Sequence, residues 1–379
     1  MAVLVINAGS SSLKAAIFAP DLTELMALRV TEIGGAARMD GDGASQPIAA
    51  PDHSAAVAAL LQRFEARGFS LPRLTAAAHR VVHGGDLFQA PCRITPEVDA
   101  GISACIPIAP LHNPANLTAI RALTEQAPGL PQYASFDTAF HATNPDVARR
   151  YALPPRAEAL GIKRYGFHGL SYASLTARLP GLTGTALPRR LLALHLGNGA
   201  SICAIRDGRS VATSMGYSPL EGLTMGTRTG TIDGNAVLRL AEVFGVAEAG
   251  RILNRESGLL GLGGASDMRS LHQAGTAEAA FAVEHFAYWA IRHAGSLIAA
   301  MGGLDAVAFT GGIGENDARI RASILQGLDF LGVRLDDARN AAGAERLTAE
   351  GSPVTAWIVP AAEEAQIASE AYALIAAGG

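Results

Sequence analysis

A chain of 379 residues with 49% hydrophobic and 17% charged side chains has material for two cores and is too apolar to be disordered. A formal net charge of −4 gives no general attraction to nucleic acid or an anionic membrane, so any anion site has to be a local gathering of Arg, Lys and His. The three cysteines, Cys92, Cys105 and Cys203, lie far apart with no CxxC pair, which argues against a disulfide framework and a cysteine zinc site. The start Met-Ala-Val-Leu has neither a basic region nor a cleavable apolar stretch, so no signal peptide is expected and the cytoplasm is the expected location.

Val3-Leu4-Val5-Ile6 reads as a strand covered on both faces, and Leu13-Lys14-Ala15-Ala16-Ile17-Phe18 as a second strand. Between them, Asn7-Ala8-Gly9-Ser10-Ser11-Ser12 forms a tip rich in amides and hydroxyls, with Lys14 adding a cation. Such a tip suits phosphate oxygens; an ordinary Ser-rich hairpin is the alternative at this point. Residues 52–68 carry Val57, Leu60, Leu61 and Phe64 at helical spacing with Gly68 as a stop. Residues 74–82 read as a strand ending in Arg80-Val81-Val82-His83-Gly84-Gly85. In Pro110-Leu111-His112-Asn113-Pro114, Asn113 is expected to cap a helix that starts with Pro114. A short strand at 133–136 then delivers Asp137.

The Pro-rich, charged stretch 144–163 is the expected domain junction. Beyond Gly166-Phe167-His168-Gly169 the opening layout returns. Residues 191–194 lead into His195-Leu196-Gly197-Asn198-Gly199-Ala200-Ser201 and out through 202–205, which suggests two related halves. Met225-Gly226-Thr227-Arg228-Thr229-Gly230 is an arginine loop bracketed by glycines. The apolar run 276–301 is broken by Glu278, Glu284, Arg292 and His293 and is therefore a packed helix, not a membrane span. A strand at 306–309 enters Thr310-Gly311-Gly312-Ile313-Gly314-Glu315-Asn316, where helix amides are expected to face an anion. A strand at 356–359 precedes a last helix opened by Glu363.

Walker, complete GxGxxG, HExxH and GxSxG patterns are all absent. His79 and His83 are four apart on a strand end, where that spacing makes no shared helical face for a metal. Two small-residue tips, a Gly-Gly-x-Gly turn and several Arg or His on glycine-flanked loops point to phosphate handling. Singly, Arg80 also fits a surface ion pair, Asp137 a turn cap and His168 a packed histidine.

The ordered set VLVINAGSSSLK, HRVVHGG, APLHNPANL, SFDTAFH, RYGFHGLSY, HLGNGASI, SMGYSPLEGLTMGTRTG and FTGGIGEN resembles the acetokinase family, within the actin, hexokinase and Hsp70-like phosphotransferases. The resemblance runs from Val3 to about Ala368. It implies an α/β fold of two duplicated ribonuclease-H-like (actin/hexokinase-type) βββαβαβα domains with an interdomain cleft, divided as 1–148 plus 364–379 and 149–363. It implies reversible ATP-dependent phosphorylation of acetate to acetyl phosphate, with ADP as the other product, Mg²⁺ or Mn²⁺ as cofactor and a homodimer built through the second domain, with 276–301 at the contact.

Residue by residue, the resemblance makes Asp137 the family's catalytic acid, has His168 and Arg228 stabilise the phosphoryl group, and gives Arg80 the substrate carboxylate, with His112 in the same cluster. Asn7 and Glu363 match the metal site. Lys14, Ser10 and Ser12 fall at the nucleotide phosphates. His195, Leu196, Gly197, Asn198 and Gly199, then Asp267, Met268 and Arg269, then Gly312, Ile313, Gly314, Glu315 and Asn316 match nucleotide-binding segments. Val82, Leu111, Phe167 and Pro219 correspond to the pocket for the substrate's methyl group. Thr231 stands where the family pattern has Asp, Gly234 where it has Pro, and Ala361-Ala362 where it has Thr-Asn. Because acetate is ionised at neutral pH, no general base is needed, and Asp137 is expected to orient Mg²⁺ or an arginine. Propionate kinase is the nearest alternative, butyrate kinase a more distant one. Val82 is bulkier than the alanine of propionate enzymes, which favours acetate. An Hsp70-like or filament protein that only binds ATP is the remaining alternative.

Overall fold

The computed structural model describes residues 2–41, 43–110 and 112–378. The chain divides into two compact units, residues 1–140 with 362–379, and residues 141–361. The expected junction at 144–163 lies inside the second unit. It is folded as short helices at Asp146–Arg149 and Pro155–Glu158 and closed by an Arg150–Lys163 bridge. Its prolines sit at N-caps and first helical positions, where a missing N–H costs little, so proline content there marks helix starts.

The first unit is built on one sheet. Its strands are β1 (Val3–Ala8), β2 (Leu13–Phe18), β3 (Glu24–Thr31), β4 (Arg38–Gly41), β5 (Ala44–Pro47), β6 (Ala76–Val81), β7 (Cys92–Arg93) and β8 (Gln132–Phe136), in the order β5-β4-β3-β2-β1-β6-β8-β7. The β1–β2 and β2–β3 pairs are antiparallel, whereas β1–β6 and β6–β8 are parallel. Every residue of β1 is buried, as a strand sandwiched between helices requires. Helix His53–Ala66 supplies Val57, Leu60 and Phe64 to one face, together with Ala119 and Leu123 of helix Asn113–Gln126. Helix Glu363–Ala376 packs on β1, β6 and β8. Asp52 caps the first of these helices by accepting from the Ala55 amide at 2.8 Å.

The second unit repeats the plan. Strands β9 (Arg190–Leu196), β10 (Ala200–Arg206), β11 (Arg209–Thr213), β12 (Ala306–Thr310) and β13 (Thr355–Ile358) run in the order β11-β10-β9-β12-β13. Three strands form an antiparallel meander and two join in parallel, matching β3-β2-β1-β6-β8. The Asp207-Gly208 turn has φ of +52° and +76°, the left-handed pair that a tight hairpin needs. Helix Ala277–Met301 covers β9, β10 and β11, and its N-cap Thr276 accepts from the Ala279 amide at 3.1 Å. Among the described residues no helix is long and apolar enough to cross a membrane.

Candidate functional site

In the first unit, strand register assembles a charged cluster. Asn7 lies opposite Lys14 in the β1–β2 pair, Ile6 lies beside His79, and Arg80 lies beside Ser135. The next residues along therefore bring Asn7, Arg80 and Asp137 to one end of the sheet. Arg80 donates through Nε to Asp137 Oδ2 at 3.0 Å, again to that oxygen through Nη2, and through Nη1 to Asn7 Oδ1 at 3.1 Å. Asn7 Nδ2 in turn donates to Glu364 Oε1 at 3.2 Å, which also lies 3.7 Å from Lys14 Nζ. Burial disfavours the Arg80 charge, but Asp137, Glu363 and Glu364 outweigh it and hold the group more firmly protonated. Desolvation raises the Glu363 pKa. Arg80 and Lys14 oppose that shift, and neighbouring Glu364 adds to it.

Among the described residues no group of three or more His, Cys, Asp or Glu is spaced to hold a metal by itself. What stands here is a hard-oxygen set, the Asn7 amide with the Glu363 and Glu364 carboxylates. That suits a Mg²⁺ ion completed by waters and nucleotide phosphates, so these residues fit the group. The tip at 9–12 is closed by the Gly9 amide donating to Ser12 O at 2.8 Å, with Ser10 exposed and Ser12 half-buried. His112 occupies the N-cap of helix Asn113–Gln126. Leu111 lies outside the described residues. Asn113 does not cap this helix: it is the first helical residue, and its amide brackets the His83 peptide, accepting from N at 3.1 Å and donating to O at 3.0 Å. A buried peptide needing both partners wins over an amide at a helix end that water can reach. Its i+3 neighbour Asn116 accepts from Val82 N at 3.1 Å and donates to Ala8 O at 2.8 Å. The Asn-x-x-Asn spacing on one helix face was the available signal for this pair.

In the second unit three loops converge on Gly199. A Cβ there would lie 2.7 Å from Arg228 Nη2 and 3.3 Å from His168 Nε2, so the bare glycine lets both side chains approach the backbone closely. His168 has φ of +58°, a left-handed backbone unusual for a residue with a side chain. Its ring is fixed by Ser201 Oγ on Nδ1 at 2.8 Å and by stacking on His195 at 4.2 Å between centroids. His195 Nδ1 is held by Ser171 Oγ at 2.8 Å. Arg228 Nη1 donates to Pro219 O, which gives Pro219 a positioning contact. No carboxylate pairs with Arg228 among the described residues, and desolvation lowers its pKa to about 10. It therefore remains cationic at neutral pH. Phe167 is buried, with its carbonyl on His141 Nε2 at 2.9 Å.

Also within the second unit, a cavity of about 730 Å³ is lined by Asp267, Met268, Arg269, His272, Gly312, Ile313 and Asn316, among others. It gathers two of the segments expected to bind nucleotide and has the size of a small-molecule site. Asp267 caps helix Met268–Ala274 by accepting from Ser270 N at 2.9 Å. The third segment adjoins the cavity without lining it: a Cβ on Gly197 would lie 4.0 Å from Gly312 N, Leu196 is fully buried, the Gly197 amide closes on Gly199 O at 3.0 Å, and Asn198 O accepts from the Gly226 amide at 2.9 Å. Gly314 is buried and Glu315 is not in the cavity wall. The turn is itself a six-residue helix, Gly311–Asn316, and its first amide donates to the chain's own Glu315 Oε1 at 2.9 Å, so that amide is engaged internally and does not point to a ligand anion.

The same five-strand order occurs twice, with glycine-bordered tips and basic side chains near the sheet ends. This is the duplicated α/β layout of the actin- and hexokinase-type phosphotransferases. The chain belongs to the acetokinase family, whose sequence profile matches residues 2–369. It is 45% identical over 395 residues to an acetate kinase of Leifsonia xyli subsp. xyli, covering 100% of both chains. Its structure is similar to that of Porphyromonas gingivalis acetate kinase, with a TM-score of 0.91 at 36% identity, covering 99% of each chain. It is also similar to a propionate kinase of Francisella tularensis subsp. tularensis, with a TM-score of 0.92 at 35% identity, covering 97% of this chain and 98% of that one.

Proposed function

We propose that the protein transfers the terminal phosphoryl group of ATP to acetate, giving acetyl phosphate and ADP, reversibly. One observation carries this reading: Arg228, a desolvated cation with no carboxylate partner among the described residues, stands with His168 over the bare backbone of Gly199. Two anions react here, so positive charge around the transferring group matters more than a base. The acetate oxygen attacks phosphorus as the bond to the ADP oxygen breaks, and a carboxyl group with a pKa near ~4 needs no deprotonation first. Arg228 and His168 neutralise the equatorial oxygens. Arg80 takes the substrate carboxylate, and Asp137, bonded to its guanidinium, orients it and accepts no proton.

Asn7 and Glu363, with Glu364 beside them, would hold Mg²⁺ (or Mn²⁺), which when bound supplies charge to the nucleotide phosphates. Lys14, Ser10 and Ser12 serve the same phosphates, and the cavity at Asp267–Arg269 and Gly312–Asn316 takes the rest of the nucleotide. Val82, Leu111, Phe167 and Pro219 set the acyl chain length. The proposal includes a cytoplasmic homodimer. Three free thiols support the reducing compartment. Support for the dimer comes from exposed apolar side chains in the second unit: Phe281 and Tyr288 on helix Ala277–Met301, and Leu238 and Phe244 on helix Gly234–Phe244.

Trapping the product with hydroxylamine tests the reading. With ATP and Mg²⁺, acetate should give more acyl hydroxamate than propionate, and butyrate least. No hydroxamate from any of the three would overturn it; more from propionate would move the protein to the propionate kinases.

A further inference from the structure

The turn after β12 gives Gly312, Ile313 and Asn316 to the cavity lining, and Glu315 between them is not part of that lining. Its Oε1 accepts two backbone amides at once, Gly311 N at 2.9 Å and Ala361 N at 2.9 Å. Gly311, with φ of +80°, is the point where the chain leaves β12 for the turn, and Ala361 is the last residue of the second unit. From below, Arg321, only 1% exposed, donates to Gly314 O at 3.0 Å and Glu315 O at 2.9 Å, and its remaining nitrogens are held by Asn340 Oδ1 and O. The turn is thus tied at its first amide through Glu315 and at its last carbonyls through Arg321. Gly312, Ile313 and Asn316 are left to face the cavity.

We propose that Glu315 is a positioning residue: it locks the nucleotide-facing turn onto the backbone at Ala361 and does not contact the nucleotide. This rests on the reading of the cavity as the nucleotide site. A carboxylate aimed at nucleotide phosphates would repel them; aimed at two amides it is satisfied, and it fixes the backbone that a ligand would meet. Because a single oxygen accepts both N–H groups, the role needs length and an acceptor but no charge.

Binding of ADP, with Mg²⁺ present, is measured by calorimetric titration of the full chain and of Glu315→Ala, Glu315→Asp and Glu315→Gln. Alanine removes the acceptor and aspartate falls short of both amides, so each should weaken ADP about tenfold or more. Glutamine keeps the length and one carbonyl oxygen and should restore affinity to within about threefold of the unchanged chain. In steady state the nucleotide KM should rise in the first two variants while the acetate KM stays constant, a split that a general loss of stability would not give. Glutamine as weak as alanine, or alanine as tight as the unchanged chain, would overturn the proposal. Should alanine not fold, the aspartate–glutamine contrast decides by the same rule. An unchanged chain that binds no ADP would overturn the nucleotide reading of the cavity, and the inference with it.

Discussion

Arg228 keeps its charge in surroundings that disfavour it, with a backbone carbonyl and, among the described residues, no carboxylate beside it. A cation so placed gains most when negative charge develops beside it, which is the situation of a transferring phosphoryl group and not of a resting substrate. Replacing Arg228 with Ala should lower kcat by a factor on the order of 10²–10³ while shifting either KM only a few-fold. Steady-state kinetics checks this, and a large rise in KM at constant kcat would reassign Arg228 to ground-state binding. Asp137 differs in that a counter-ion is at hand: both of its Arg80 contacts use Oδ2. The residue types and their glycine neighbours marked these positions in the sequence. That Gly199 is where His168 and Arg228 meet was not visible there, because the three loops are far apart along the chain.

Helix Asn113–Gln126 does more than cover the sheet. Its first turn carries two buried amides, Asn113 and Asn116, that satisfy the backbone where β1 and β6 end. Those strand ends hold Asn7 and Arg80, so the helix sets the spacing between them. Asn116→Leu leaves Val82 N and Ala8 O buried without partners and should destabilise the protein by about 2–6 kcal/mol, at roughly 1–3 kcal/mol for each group. Urea unfolding measures this, and a loss below about 1 kcal/mol would show that water replaces the amide. The cap reading of Asn113 followed its position before Pro114; the competing demand came from His83, thirty residues away and beyond any local rule. The hairpin tips, the Asp207-Gly208 turn and the long helix were legible because their signals are local, in turn chemistry and hydrophobic period.

Across the molecule, three buried histidines should lower stability in acid. Desolvation lowers His79, His83 and His141 to about 4, with Gln132 opposing at His79, Asp86 at His83 and the Phe167 carbonyl at His141. Each is neutral when folded and binds a proton near its ordinary pKa of about 6.5 when unfolded. The unfolded chain therefore holds more protons in between. The contribution of these groups is complete above about pH 6.5 and is lost as pH falls toward about 4. At pH 5 each histidine should subtract about 2 kcal/mol relative to pH 7.5. Urea titrations at the two pH values should show the drop, and His79→Gln should make it smaller; an equal drop in that variant would remove His79 from the cause.

The sequence by itself determined the family, the duplicated layout and the chemical character of the site. Strand patterns, glycine-bordered tips and ordered motifs are properties of contiguous residues. Tertiary structure alone decided what each polar group is bonded to. It turned Asn113 from a cap into a backbone partner of His83, set the Glu315 carboxylate on the Gly311 and Ala361 amides, placed the proline-rich stretch inside the second unit, and gave Asn116 and Arg321 their partners. The physical reason is the same in each case. A buried donor or acceptor must be satisfied by whatever the fold brings near, and that neighbour is set by packing over distances that no local pattern encodes.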